Sequence, residues 1–324
     1  SRDINMKDLR LITITLAMMT FVACGPIQRT RQSEDTPVRT PETENLLINL
    51  KKVSARGFMF GHHDDTNYGI GWEGDEGRSD VKSVCGDYPA VISFDLGHIE
   101  LGDTMSLDKV PFTKIRKEIL NQYKRGGMSS LSWHLRNPLT GGDSWDVSDT
   151  TVVKSILPGG ANHEKFTGWV SKVSAFINSL QTEEGVKVPV LFRPWHEHTG
   201  SWFWWGEKLC TPEEYKALWH MTVDILRNDG VDNALYAYSP GSEPQDTAQY
   251  LKRYPGDELI DLIGFDTYQF ERDTYLANLE KSLAIVDSIG KVHNKVIAIT
   301  ETGYEGIPDP KWWTETLLPG IGNY

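Results

Sequence analysis

The strongest constraint on the fold is an alternation that runs through most of the chain. Apolar, β-rich runs stand at 58–63 (FMFGHH), 90–97 (AVISFDLG), 128–135 (MSSLSWHL), 188–197 (VPVLFRPWHE), 234–240 (ALYAYSP), 262–268 (LIGFDTY) and 296–303 (VIAITETG). Between them lie stretches with a polar face at helical spacing: PFTKIRKEILNQYKRGG, HEKFTGWVSKVSAFINSLQTEEG, TPEEYKALWHMTVDILRNDG and DTYLANLEKSLAIVDSIGKVH. Strand followed by helix, repeated, is the order of a parallel sheet, and strands apolar along their whole length are covered on both faces. Thr211, Pro212, Glu213 and Glu214 make a helix start: a cap, a proline in the first turn, and acids at the positive end of the helix dipole. Gly126, Gly127 and Gly230 stand where helix C-terminal caps belong. No Gly-x-Gly-x-x-Gly or P-loop opens any of these helices, which argues against a dinucleotide-binding fold. The expected class is α/β, a (β/α)8 TIM barrel.

What the strands end with points to chemistry. Their C-terminal ends carry His62-His63-Asp64-Asp65, Asp95, His134, Glu197, Asp266-Thr267-Tyr268 and Glu301, with Glu243 shortly after the fifth. Barrel active sites are built on that face. Glu197 and Glu301 fall on the fourth and seventh strands, and two carboxyl groups facing one another across a barrel mouth can cleave a glycosidic bond, one as proton donor and one as nucleophile. The donor needs a raised pKa and the nucleophile must stay ionised. His196 and the tryptophans after Glu197 suit the first need, and a hydrogen bond from Tyr268 suits a carboxylate at 301 in the second. The crowded segment RPWHEHTGSWFWWG (193–206) then makes sense, because sugar rings lay flat C–H faces on aromatic rings and offer hydroxyl edges to charged groups. Of the adjacent Trp204 and Trp205, only one is expected to face a cleft. Glu305 is read as a loop acid, Glu243 as a solvated or rim acid, and His198 as an orienting or surface histidine. Trp169 and Trp219 are read as helix packing, and Asp64 and Asp65 as loop caps or sugar contacts.

The formal charge of −12 argues against nucleic acid and anionic membrane surfaces as partners, since both are bound through Lys and Arg. The N-terminus reads as targeting. Residues 6–24 have a basic start (Lys7, Arg10), an apolar run of about 13 residues, too short to span a bilayer, and a VACG ending, the layout of a lipoprotein signal peptide with Cys24 as the acylated residue. Residues 25–41 read as a flexible tether and 42–324 as the catalytic barrel. The expected location is a diderm bacterium, facing the periplasm or on the cell surface, with membrane contact only through the lipid at Cys24. Whether Cys85 and Cys210 pair is left open.

The blocks FRPWHEHTGSWFWWG, GFDTY, SLSWHLRNP and AITETG resemble glycoside hydrolase family 26, the β-mannanase family of the retaining barrel clan, over about residues 61–306. The resemblance implies Glu197 as acid/base and Glu301 as nucleophile. It also implies that His134, His196, Trp202, Asp266 and Tyr268 line the subsite of the scissile sugar, with Trp145 as a stacking ring. The segment FMFGHHDDTNYG resembles the first-strand loop of mannobiose-releasing members, which makes His62 and Asp65 candidate sugar contacts. The implied partner is β-mannan polysaccharide or mannooligosaccharides, acted on by a monomer with no cofactor and no metal. Family members continue into an eighth strand with an Arg or Trp at the mouth. Seven strands are counted here, and the chain ends 23 residues after Glu301, so the expectation is a barrel C-terminally truncated before its eighth βα unit. Three rivals are retained: a retaining hydrolase of xylan or mixed-linkage β-glucan, a non-catalytic glycan-binding lipoprotein, and a metal-dependent hydrolase using His196, Glu197 and His198 with His62 and His63.

Overall fold

The computed structural model of the chain describes residues 39–322 and 324. The signal peptide, Cys24 and most of the stretch read as a tether lie outside the described residues. Seven strands form one parallel sheet in sequence order: β1 (Gly61–His63), β2 (Val91–Asp95), β3 (Met128–Ser132), β4 (Val190–Arg193), β5 (Ala234–Tyr238), β6 (Leu262–Gln269) and β7 (Val296–Tyr304). They are the seven expected runs, the first five shortened and the last two extended by one residue at their C-terminal ends. Among the described residues, β1 pairs only with β2 and β7 only with β6, so the sheet has two edges. A small antiparallel hairpin at Tyr68–Gly69 and Trp72–Glu73 follows β1.

Five longer helices cover the sheet: α1 (Pro41–Ser54), α2 (Phe112–Lys124), α3 (His163–Asn178), α4 (Pro212–Asn228) and α5 (Arg272–His293). The last four were legible from their polar faces; α1 was not. The α4 start is a full capping box, with Thr211 accepting from the Glu214 backbone N–H and the Glu214 side chain accepting from the Thr211 N–H. The fold already takes in Arg39 and Thr40, at the end of the stretch read as a tether. Arg39 Nη2 donates to both carboxylate oxygens of Asp261 at 2.8 Å, and Thr40 caps α1. No described helix is long and apolar enough to cross a membrane.

Alternation along each strand sorts the core. Ile92, Phe94, Leu131, Val190, Phe192 and Tyr236 point outward to the helices. On the other face Met128, Leu191, Leu235, Leu262 and Val296 meet one another and Leu50 of α1, so the sheet curls around an apolar plug at its N-terminal end. Higher on the same inner face the register neighbours are polar: Asp95 beside Ser132, and Ser132 beside Arg193. The inner face therefore changes from apolar base to charged mouth.

One irregularity decides what reaches that mouth. Leu262 pairs with Val296 and Phe265 with Ile299, but Asp266 pairs with Glu301, so Thr300 is an extra residue in β7. A bulge of one residue reverses the facing of everything after it. Without it Glu301 would turn to the helix side. With it, Glu301 shares the inner face with Asp266 and Tyr268.

Candidate active site

Glu197 stands on a turn just past β4, and Glu301 near the end of β7. Arg193, the last residue of β4, joins the two sides. Its guanidinium donates to Glu301 Oε1, to Asp266 Oδ2 at 3.0 Å and to Ser239 Oγ at 3.1 Å. Tyr268 donates its hydroxyl to the other Glu301 oxygen at 2.6 Å, as the sequence led us to expect. Burial alone would raise the Glu301 pKa. The Arg193 charge and the hydrogen bonds from Tyr268 and Arg193 are among the effects that together outweigh burial, and the carboxyl is held well below the usual range. Asp266 is more deeply buried, and burial together with the Glu301 charge raises its pKa, Arg193 offsetting only part.

Glu197 is in the opposite state. Burial, then the Glu301 charge, push its pKa up to about 7. Trp202 donates its indole N–H to Glu197 Oε2 at 2.8 Å, which favours the ionised form and so works against the shift. The tryptophan beside the acid holds it in place; its elevated pKa comes from burial and from Glu301. The two carboxyl groups are thus pushed in opposite directions, Glu197 toward its protonated form and Glu301 toward its ionised one.

A histidine pair lines the floor. His134 and His196 face each other through their Nε2 atoms at 3.1 Å. Asp95, buried, meets His134 Nδ1 at 2.6 Å and also accepts from Ser132 Oγ and the backbone N–H groups of Gly97 and His134. Burial opposes protonation of His134, but the Asp95 charge and hydrogen bond at its Nδ1 raise its pKa, and the two Nε2 atoms share a single hydrogen bond. His196 is also 3.8 Å from Glu301, and burial, followed by the Arg193 and His134 charges, lowers its pKa well below the usual value, so it stays neutral. Asp95→Asn should remove the restraint on His134 and lower kcat by about 10- to 100-fold, the usual cost of losing a partner that orients an imidazole. Steady-state kinetics of the purified variant check this, with the melting temperature as a fold control.

Trp145 stacks on His134 with ring centroids 5.5 Å apart and remains half exposed toward the cleft. Trp202 is likewise part-exposed, while Trp204 and Trp205 are both fully buried. The expectation that one of that adjacent pair faces the cleft is therefore corrected: both pack into the core, and their indole N–H groups bond the carbonyls of Leu135 and His196. His198 is not at the surface either; it lies buried between Tyr215 and Tyr238. His62 lines the cleft, and Asp65 is buried behind it with its carboxylate on His62 Nδ1 at 3.1 Å. Glu305 lies exposed on the loop after β7, and Glu243 accepts from Thr199 at 2.7 Å. Trp169 and Trp219 pack inside α3 and α4 as read. Cys85 is exposed, Cys210 buried, and both are free thiols.

The cleft is continuous with the interior of the sheet, a cavity of about 1580 Å³ reaching from Leu50 to Tyr268. Two groups of donors converge within 4.8 Å: His196, Asp266 and Glu301, and His63, Asp64 and Asp108. In each, a side-chain cation already sits among the carboxylates. Arg193 binds both acids of the first. In the second, burial opposes protonation of His63, but Asp108 and Asp64 push its pKa up to about 9. The metal set considered from sequence is broken up, because His198 is buried among tyrosines and His62 is turned to Asp65.

Sequence reasoning missed two residues that hold this site together. Arg193, in VLFRPW, ends a buried strand, and its role becomes visible only with Asp266 and Glu301 beside it. Asp95 was noted as a strand end but given no role.

Comparison with known proteins agrees with the geometry. The model of Glycosyl hydrolase family 26 matches residues 36–315. A mannan endo-1,4-beta-mannosidase of Bifidobacterium adolescentis is 34% identical over 279 residues, 82% of this chain and 27% of the relative. One from Bacillus subtilis is 27% identical, over 69% of this chain and 60% of its own length. The chain thus spans about a quarter and three fifths of these curated relatives. Among solved structures, a family 26 β-mannanase of Bacteroides ovatus is similar with 63% identity and a TM-score of 0.87, covering 88% of this chain and 83% of that one. An endo-β-1,4-mannanase of Cellulomonas fimi aligns at 35% identity and a TM-score of 0.77, over 84% and 62%. With its site built from the blocks that carried the resemblance, the chain belongs to glycosyl hydrolase family 26.

Proposed function

We propose that this chain hydrolyses β-1,4-mannosidic linkages by double displacement with retention of configuration. The observation that carries the reading is a pair of glutamates in opposite surroundings at one aromatic-walled mouth: Glu301 bound by the Arg193 guanidinium and the Tyr268 hydroxyl, Glu197 largely buried with the Trp202 indole N–H as its partner. Glu197, protonated, gives its proton to the leaving oxygen as Glu301, ionised, attacks the anomeric carbon. Glu197, now ionised, then takes a proton from the water that hydrolyses the glycosyl-enzyme. Arg193 and Tyr268 keep Glu301 charged and aimed. Trp145 and Trp202 offer ring faces to sugars, and His134, with His62 on the β1 side backed by Asp65, offers a polar edge in the cleft; His196 and Asp266, both read from sequence as sugar contacts, are buried beneath it, His196 against His134 and Asp266 between Arg193 and Thr300. Mannan as the substrate is supported by the mannanase activity of the relatives. An eight-stranded barrel of the same class as the parent architecture is supported by the seven ordered parallel strands and the structural likeness. A lipid anchor at Cys24, and with it a membrane-facing location, is supported by the sequence layout alone.

Product analysis tests this reading. The chain is incubated with linear mannan, galactomannan, xylan and mixed-linkage β-glucan, and released sugars are separated over time. Release from the two mannans alone is the expected result; release only from xylan or glucan, or tight binding with no release, would replace it. Mannobiose alone from the start, against a ladder of oligosaccharides, separates release from chain ends from internal cutting.

The pH profile follows from the same two groups. Glu301, with its pKa depressed, is active above that value, so the acid limb lies below the usual carboxylate range. Glu197 must carry its proton in the first step, so kcat/KM falls as pH rises through about 7. Rates on mannotetraose between pH 3 and 9 check both limbs.

A further inference from the structure

The turn that carries Glu197 is bent in a way that side chains resist. Trp195 and Glu197 have φ of +59° and +54°, the left-handed region, which costs an L-residue about 1–2 kcal/mol each. Such strain persists where the surroundings over-determine it, and it gathers at functional sites. Here the surroundings are specific. Tyr215, fully buried in the first turn of α4, donates its hydroxyl to the Trp195 carbonyl at 2.7 Å. One turn on, Trp219 donates its indole N–H to the Tyr215 oxygen at 3.1 Å, and the Trp195 indole donates to Thr222 at 3.3 Å. Tyr215, Trp219 and Thr222 form one stripe of α4, spaced to share a helix face. The rest of the turn is gripped as well. Trp205 donates to the His196 carbonyl, and the Glu197 N–H donates to the Ser239 carbonyl, both at 2.8 Å.

We propose that Tyr215 is a positioning residue for the acid/base: through the Trp195 carbonyl it holds the left-handed turn that sets where the Glu197 carboxyl points. Tyr215 does not line the cleft. This rests on the proposed function, in which Glu197 protonates the leaving oxygen. Without the phenol, the buried Trp195 carbonyl loses its donor, a cost the turn escapes by relaxing toward an ordinary φ. That relaxation swings the Glu197 Cα–Cβ bond away from the leaving oxygen, and proton transfer is sensitive to displacements of well under an ångström.

The test is a comparison of two substrates, because only one needs the proton. Dinitrophenolate leaves a β-mannobioside without acid assistance, whereas a sugar alkoxide leaving from mannotetraose requires it, and kcat/KM covers only the steps through cleavage. In Tyr215→Phe, kcat/KM on mannotetraose should fall about 10²-fold, the usual worth of a positioned general acid, while that on dinitrophenyl β-mannobioside stays at the wild-type value. Trp219→Phe, which keeps the phenol but removes its donor, should show the same selective loss to a smaller degree. It decides the matter if Tyr215→Phe has a collapsed melting temperature. Equal losses on both substrates, or none on either, would overturn the proposal. If the wild-type chain turns over neither mannoside, the functional reading fails separately. The inference is then read from a carboxyl ¹³C titration of Glu197: a pKa displaced in Tyr215→Phe upholds it, and an unmoved one overturns it.

Discussion

Glu301→Ala is expected to abolish mannan turnover, by about 10⁴-fold or more in kcat, the scale seen when a covalent nucleophile is removed. The substitution takes away the attacking oxygen and also leaves the Arg193 guanidinium and the Tyr268 hydroxyl without the acceptor they are built around. Glu197→Ala should lose nearly as much on mannan but differ in kind. With an activated aryl mannoside the first step no longer needs an acid, the glycosyl-enzyme accumulates, and azide restores part of the rate by attacking it without base assistance. Glu301→Ala gains nothing from azide in that retaining sense. Glu305→Ala, altering the exposed acid four residues on, should keep wild-type kinetics. Saturating-substrate assays with and without azide check all three.

Arg193→Met carries the largest expected effect on stability, a loss of about 3–5 kcal/mol near neutral pH, the usual cost of breaking a buried ion pair from one side. Arg193 and Asp266 are almost wholly buried and Glu301 is nearly so, and the one guanidinium serves both acids. Without it, two carboxyl groups face each other in a low-dielectric pocket. The pH dependence has a definite sign. In the wild type Glu301 has a depressed folded pKa, so its contribution is present above the usual carboxylate value and is lost as pH falls through the folded one. In the variant that contribution is missing, so the stability gap is widest at neutral pH and closes as acid protonates both groups. Urea unfolding at several pH values measures the gap. Kinetics of the same variant should show Glu301 losing its low pKa, with the acid limb of the profile moving up.

Much of this was legible before any coordinates. The seven strands announced themselves because each is buried on both faces and reads as an unbroken apolar run, and Glu197 and Glu301 stood at strand ends where barrel chemistry is placed. The α4 start was legible because capping is local, needing only Thr211, Pro212 and Glu214. What escaped depends on contacts distant in sequence or on backbone detail. The bulge at Thr300 that turns Glu301 inward is a matter of pairing with β6, and no local signal in VIAITETG marks it. Helix α1 was not legible, because its burial is confined to Thr43 and Leu50. Trp204 and Trp205 misled because the segment looked like a cleft wall. In the fold its second half turns inward and spends two indole N–H groups on backbone carbonyls. Arg193 went unassigned because a cation at the end of a buried strand has no meaning until Asp266 and Glu301, both more than 70 positions away in sequence, arrive beside it.

The most direct test of the central claim is to trap the covalent intermediate. The chain is incubated with a 2-deoxy-2-fluoro-β-mannosyl fluoride, whose 2-fluorine slows both steps while departure of the anomeric fluoride keeps the first fast enough for the glycosyl-enzyme to accumulate, then digested and sequenced by mass spectrometry. The expected result is one fluoromannosyl adduct per chain, on Glu301, which mannobiose competes away and Glu301→Ala does not form. An adduct on another carboxylate, or mannan hydrolysis that yields the α-anomer first with no adduct at all, would contradict the assignment of Glu301 as nucleophile and the double-displacement mechanism with it.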